Sequence, residues 1–366
     1  MAVYRLGELF CGPGGIALGA KNAFVSKNNI DYTITHAWAN DYDPETCKTY
    51  IHNICPDMPE TVICADIRNL DIDLLHNISP IDGFAFGFPC NDFSLVGEQK
   101  GLDGGFGPLY TYGVKIIESF NPLWFVAENV SGLQSSNEGR AFKQIIHALQ
   151  HAGMGYELTV HHYHFEDYGV PQNRHRIIIV GMRSDLGLKF QVPAPTHKNQ
   201  PISVGEALAN IPHDAKNQEL TSQSQTVIER LKHIKPGQNA WNSNLPAHLQ
   251  LNVKGAKLSQ IYRRLEVHKP AYTITGSGGG GTHVYHWDEP RALTNRERAR
   301  IQTFPDNYEF IGSKESVRKQ IGMAVPPAAA QIIFEAILKT LANTAYASIN
   351  ANVAIDDFAT EMLLPM

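Results

Sequence analysis

The stretch Glu8–Gly19, ELFCGPGGIALG, joins a strand-like segment to a glycine-rich turn and then to the start of a helix. That order lets backbone approach a bound ligand closely, because a glycine turn carries no side chain to hold the ligand off. Gly12, Gly14 and Gly15 do not have the G-x-G-x-x-G spacing of a pyrophosphate-binding turn. Outward from this point, short β-branched or aromatic runs alternate with amphipathic stretches as far as about residue 185. The strand-like runs are YRLGELF, TITHAWAN, TVICADI, IDGFAFG, LWFVAEN, YELTVHHYHF and RIIIVGM. PETCKTYIHNI, YGVKIIESF and AFKQIIHALQHAG read as the intervening helices. Such alternation predicts an α/β fold, a doubly wound and mostly parallel sheet, with ligands beyond the carboxyl ends of its strands.

After GMRSD the pattern changes. Residues from about 190 to 290 are rich in Pro, Asn, Gln, Gly and His, and regular helix returns in LTNRERARIQTF and AAAQIIFEAILKTLANTAYA. The expected division is a main domain of 1–188 with 290–345, a smaller irregular domain of 189–289, and a tail of 346–366. The closing VAIDDFATEMLLPM reads as loosely docked. No run of eighteen apolar residues occurs, so no membrane span is expected. The five cysteines form no CxxC pair, which reads as reduced thiols in a cytoplasmic setting.

The net charge of −5 argues against indiscriminate coating of nucleic acid. Its distribution argues differently: Arg230 to Lys269 holds eight basic residues and one acid. Lys254, Lys257, Arg263 and Arg264 lie in that run. It reads either as a solvated basic face or as a phosphate-contacting surface.

Three further constellations carry chemistry. Acidic residues end two successive strands, Asp41 in WAND and Asp66 in ICAD; with the glycine turn they favour an adenosine-type ligand, although Asp is also a common helix cap. Cys90, in GFPCNDFS, and Glu128, in WFVAENV, both follow apolar runs and should reach the same sheet edge. Such a pair reads as a nucleophile with a proton donor or, taken alone, as a small buried hydrophobe and a helix-cap acid. In DYGVPQNRHRIIIVG, Arg174 and Arg176 alternate toward one face and await an anion or a polar ring edge, or else ordinary surface ion pairs. The cluster HHYH, His161–His164, is split between two faces by the strand period and has no companion Cys or Asp at metal spacing. It reads as structural, and no metal is expected.

In this order, the motifs resemble those of the C5-cytosine DNA methyltransferases of bacterial restriction–modification systems, from Leu6 to about Ala330. ELFCGPGG is similar to the first motif, GFPCNDFS to the cysteine loop, ENV to the glutamate motif and QNRHR to the Q-x-R-x-R motif. RRLEVHKPAYTIT and LTNRERARIQTFPDNY…QIGMAVPP are similar to the ninth and tenth. The resemblance implies S-adenosylmethionine as cofactor: Phe10 stacks on its adenine, Gly12 and Gly14 shape the loop, and Asp41 holds the ribose. Tyr42 packs nearby, Asp66 meets the adenine amine, and Pro89 and Leu109 line the pocket. It implies Cys90 as nucleophile at C6 of a flipped cytosine and Glu128 at N3, with Arg174 and Arg176 supporting the base and the catalytic centre. The loop Asn91–Gly107 then acts as a lid. Duplex DNA is the implied partner, through 189–289, with a cognate restriction endonuclease acting on the same site. An RNA cytosine methyltransferase and a catalytically idle DNA-binding relative are the competing readings. Three positions depart from the family pattern: Asn91 for Gln, Asp41 for Glu, and Met323 for Asn.

Overall fold

The computed structural model describes residues 1–88, 109–130, 140–252 and 258–355. Pro89, Cys90, the loop Asn91–Gly107, Lys254 and Lys257 lie outside the described residues. The described chain forms two compact units, one of 1–164, 175–195 and 329 onward, the other of 165–174 and 196–328.

The first unit contains β1 (Ala2–Leu9), α1 (Gly15–Asn22), β2 (Phe24–Lys27), β3 (Ile30–Asp41), α2 (Pro44–Ile54), β4 (Val62–Cys64) and α3 (Ile72–Ile78). It continues with β5 (Gly83–Gly87), α4 (Tyr110–Phe120), β6 (Trp124–Val130), α5 (Arg140–His151), β7 (Tyr156–His164), β9 (His175–Arg183), β10 (Val192–Pro193), α10 (Pro327–Leu341) and β12 (Ser348–Ile349). The eight-stranded sheet runs β2-β3-β1-β5-β6-β9-β7, with β4 paired to β3. β1, β3, β4, β5 and β6 pair in parallel; β2 joins β3, and β9 joins β6 and β7, in antiparallel fashion. The mostly parallel α/β sheet expected from the alternation is therefore present, with antiparallel strands at both sides.

Local chemistry accounts for the elements. Asp43 accepts the N–H of Thr46 and Pro44 opens α2, where its missing donor has no cost. Phe84, Phe86, Phe125, Ile145, Leu149 and Ile177 share one core cluster beneath the sheet, each 0% exposed. Burial of each is worth roughly 1.5–3 kcal/mol. Gly83 is a packing requirement: a Cβ there would stand 2.0 Å from the Trp124 indole on the neighbouring strand.

Of the closing VAIDDFATEMLLPM, residues 356–366 lie outside the described residues. Before them β12 pairs with β10, and Val353 and Ile355 pack on the core cluster. The side chain of Asn352 brackets the backbone of His162, accepting its N–H at 2.7 Å and donating to its carbonyl at 3.1 Å.

The second unit contains β8 (Gln172–Asn173), α6 (Val204–Ala207), α7 (Gln225–Lys232), β11 (Ala271–Tyr272), α8 (Asn295–Ile301) and α9 (Lys314–Met323). Among the described residues its regular structure is sparse, as the composition of 190–290 predicts, and small apolar clusters hold it. One is built on Leu231, Ile234, Leu249, Tyr262 and Tyr285, another on Val204, Leu265, Ile274, Val284 and Ile301. Thr294 and Glu297 form a reciprocal capping box on α8. Among the described residues one stretch, Lys314–Leu341, is apolar and long enough to cross a membrane, and 72% of its most apolar window is buried within the protein as α9 and α10.

Candidate active site

The turn after β1 is built on left-handed backbone. Phe10, Gly12 and Gly14 have φ of 54°, 55° and 90°. Glycine adopts this region freely; Phe10 does so at a cost of about 1–3 kcal/mol. Asp41, at the end of β3, anchors the turn: one carboxylate oxygen accepts the N–H of Gly12 at 3.0 Å, the other that of Asp43 at 3.0 Å. Asp41 is 9% exposed, and burial raises its pKa against the pull of these hydrogen bonds. The backbone of Tyr42 adds a further hydrogen bond to the same carboxylate. A Cβ at Gly12 would meet no described atom within 4 Å, so space is open beside the turn.

The other proposed cofactor residues surround this end of the sheet. Tyr42 is 61% exposed next to Asp41. Asp66 caps the short turn Ile67–Asn69 and is paired with the Arg68 guanidinium, which holds its pKa down to about 2. Phe10 packs partly against the core, and Leu109 is buried at the start of α4.

Glu128 lies on β6 directly across from Gly87, the last residue of β5. A Cβ on Gly87 would approach Glu128 Oε2 to 3.2 Å, so the carboxylate lies over a residue that has no side chain. Three residues later the chain reaches Cys90. Arg176, on β9, donates from Nε to Glu128 Oε1 at 2.7 Å and from Nη1 to the His175 carbonyl at 2.7 Å. Both side chains of the pair are about 15% exposed, Arg176 at 15% and Glu128 at 14%. Asn129 donates to the Phe88 carbonyl at 3.4 Å, joining the glutamate motif to the residue before Pro89.

Arg174 is counted in the second unit, is 2% exposed, and donates to the carbonyls of Ile274 at 3.1 Å and Ala324 at 3.0 Å. These contacts tie its guanidinium to the backbone of TIT and MAVPP. Period-two alternation placed it beside Arg176, but the β8–β9 break gives the two arginines to different units.

Arg264 is a correction to the basic surface read from the sequence. It is 6% exposed, and its guanidinium donates to the carbonyls of Leu231, Ile234, His286 and Glu289. Burial lowers its pKa. Arg230 is likewise internal, donating to the Leu249 carbonyl and stacking on Tyr262. A count of charges along the chain cannot tell a cation that neutralises phosphate from one that ties carbonyls together. Arg263 is half-buried with its guanidinium over the Tyr272 ring. Lys232 and Lys235 are exposed, and so are Asn242, Asn244, Gln250 and Asn252.

Two features escaped sequence reading. Glu8 is 0% exposed; burial pushes its carboxyl up to about 8, although Tyr50 donates to Oε2 at 3.1 Å. Gln172 is 0% exposed and joins Gln302 at 2.6 Å and the Ile274 N–H at 3.0 Å. The glutamine of QNRHR was visible as a motif member, but its partners lie more than a hundred residues away.

The model of the C-5 cytosine-specific DNA methylase family matches residues 4–339. The Type II methyltransferase M.BbvI of Brevibacillus brevis is 58% identical over 365 residues, covering 99% of this chain and 98% of that protein. M.NgoFVII of Neisseria gonorrhoeae is 40% identical over 87% of this chain and 82% of its own length. Among solved structures, a DNA modification methyltransferase encoded within an Escherichia coli prophage superposes with a TM-score of 0.71 at 22% identity, covering 93% of this chain and 99% of that one. At that identity the superposition speaks for the fold. By its sequence match from 4 to 339 and its full-length relatives, the chain belongs to the C-5 cytosine-specific DNA methylase family and is a DNA (cytosine-5-)-methyltransferase.

Proposed function

We propose that the chain transfers a methyl group from S-adenosylmethionine to C5 of a cytosine flipped out of a specific duplex DNA sequence, by transient addition of Cys90 to C6. Cytosine C5 is a poor nucleophile within the aromatic ring. Bond formation between the Cys90 sulfur and C6, with N3 sharing a proton with Glu128, gives C5 enamine character. C5 then takes the methyl; loss of the C5 proton to a base re-forms the C5–C6 double bond and breaks the C6–S bond. When bound, the cofactor supplies an electrophilic methyl on a sulfonium centre.

The observation that carries this reading is the Glu128 carboxylate held by Arg176 over Gly87, three residues before Cys90. Arg176 keeps Glu128 oriented toward the ring edge and frees the other oxygen to meet N3. Base extraction costs a few kcal/mol of pairing and stacking. Asp41 would hold the ribose with the acceptor capacity its backbone donors leave, and the open space beside Gly12 fits a ligand laid against the turn. For Asp66 to meet an adenine amine, Arg68 must share or yield its carboxylate.

The segment 189–289 would read the DNA sequence, with Arg263 and the lysines 254 and 257 on phosphates. A cognate endonuclease acting on the same site fits relatives that are Type II methyltransferases. Transfer of labelled methyl from S-adenosylmethionine is measured on unmodified duplex DNA and on tRNA, with Cys90→Ala alongside. Label on DNA that vanishes in the variant is the expected result. Label only on tRNA moves the target to RNA, and label on neither leaves an idle DNA-binding relative.

A further inference from the structure

Three imidazoles meet on one face of the sheet. His162 and His164 are two residues apart on β7, and His175 opens β9, directly across from His164 in the antiparallel register. Their potential ligand nitrogens all lie within 4.8 Å of one another. His164 and His175 are stacked with centroids 4.0 Å apart, and His162 stands edge-on to both at 5.1 and 5.8 Å. The strand period does split HHYH between two faces: His161 turns the other way and accepts the N–H of Asn352 at 3.2 Å. The companion ligand that linear spacing lacked comes from the next strand.

We propose that His162, His164 and His175 bind one divalent transition-metal ion of the zinc class, leaving a fourth position to water. Neutral imidazole is a borderline donor suited to such ions and poorly suited to Mg²⁺ or Ca²⁺. With bonds of about 2.0–2.1 Å, nitrogens on one tetrahedral ion stand about 3.3 Å apart. Rotation about the side-chain torsions closes the difference from the present spacing. The scaffold is fixed: β7 and β9 pair along their length, and Asn352 clamps the backbone of His162 from the outer edge. His175 and Arg176 are successive strand residues and project to opposite faces. The ion therefore ties the two strands together from the face away from the Glu128–Arg176 pair.

The site is tested on the full chain, freed of any purification tag and stripped with chelator. Cobalt(II) is titrated as a spectroscopic probe, zinc binding is measured by calorimetry, and thermal unfolding is followed with and without zinc. One cobalt per chain with intense tetrahedral bands is expected, together with a rise in Tm on zinc addition. His164→Gln changes an exposed residue and should weaken binding by about tenfold or more while the metal-free Tm stays unchanged. His151→Gln, from the stacked His147–His151 pair on α5, should bind as the parent does. Binding retained in His164→Gln, binding lost in His151→Gln, a thiolate charge-transfer band, or no binding to the metal-free chain would each overturn the proposal.

Discussion

Glu128 and Arg176 face each other across the β6–β9 pair, with Nε 2.7 Å from Oε1, and the same carboxylate lies over Gly87. The β5–β6–β9 registers fix that relationship: Gly87 is opposite Glu128, and Arg176 is opposite Val130 one pleat away. Glu128→Gln keeps shape and removes the proton that N3 would share. Single-turnover methyl transfer should fall by about 10²–10⁴-fold with little change in Tm. Arg176→Ala leaves a partly buried carboxylate unpaired and should lower both activity and Tm; Arg176→Lys should recover Tm more than activity, because it lacks the planar fork. Equal rates in Glu128→Gln and parent would remove Glu128 from the chemistry.

Phe10 combines a strained backbone with a proposed stacking role. Phe10→Ala and Phe10→Gly lose the same ring, so their difference isolates the left-handed φ. The glycine variant should be more stable than the alanine variant by about 1 kcal/mol in urea unfolding. Both should bind S-adenosylmethionine equally weakly by calorimetry. An alanine variant as stable as the glycine one would show that the turn relaxes without cost.

Glu8 gives a pH dependence with a definite sign. Its folded pKa of about 8 is raised above the ordinary 4.5, so its contribution to stability is complete below about pH 4.5 and is lost as pH rises toward 8. The loss amounts to roughly a few kcal/mol at most, at about 1.4 kcal/mol per pH unit. His36, lowered to about 4 by burial, opposes this below its ordinary 6.5, so the comparison with Glu8→Gln is what isolates Glu8. Between pH 5 and 8 the parent should lose more stability than Glu8→Gln. Parallel stability curves would show that Glu8 does not titrate in this window.

Arg263 and Arg264 are adjacent in sequence and opposite in expectation. Arg264→Ala strips four carbonyls of a common donor and should destabilise the second unit by roughly 2–4 kcal/mol, with no change in the salt slope of DNA binding. If Arg263 meets a phosphate, Arg263→Ala should reduce that slope by about 1 while preserving Tm. A salt slope altered by Arg264→Ala at conditions where it remains folded would return that residue to the interface.

The sequence by itself determined the sheet class and the motif series from ELFCGPGG to QIGMAVPP. Both are carried by local periodicity and by residue types at short spacing. β6, β7 and β9 match LWFVAEN, YELTVHHYHF and RIIIVGM to within one residue at either end, because alternation and β-branched runs depend only on near neighbours. Only the tertiary structure decided which charges are structural and which meet at the site. Arg174 serves Ile274 and Ala324, Arg176 serves Glu128, and Arg264 serves four carbonyls, although all three are equally cationic in the chain. The three-histidine cluster arises in the same way. Strand pairing sets residues eleven apart side by side, and the cost of burying a polar group makes its partner, wherever it lies in the sequence, the deciding fact.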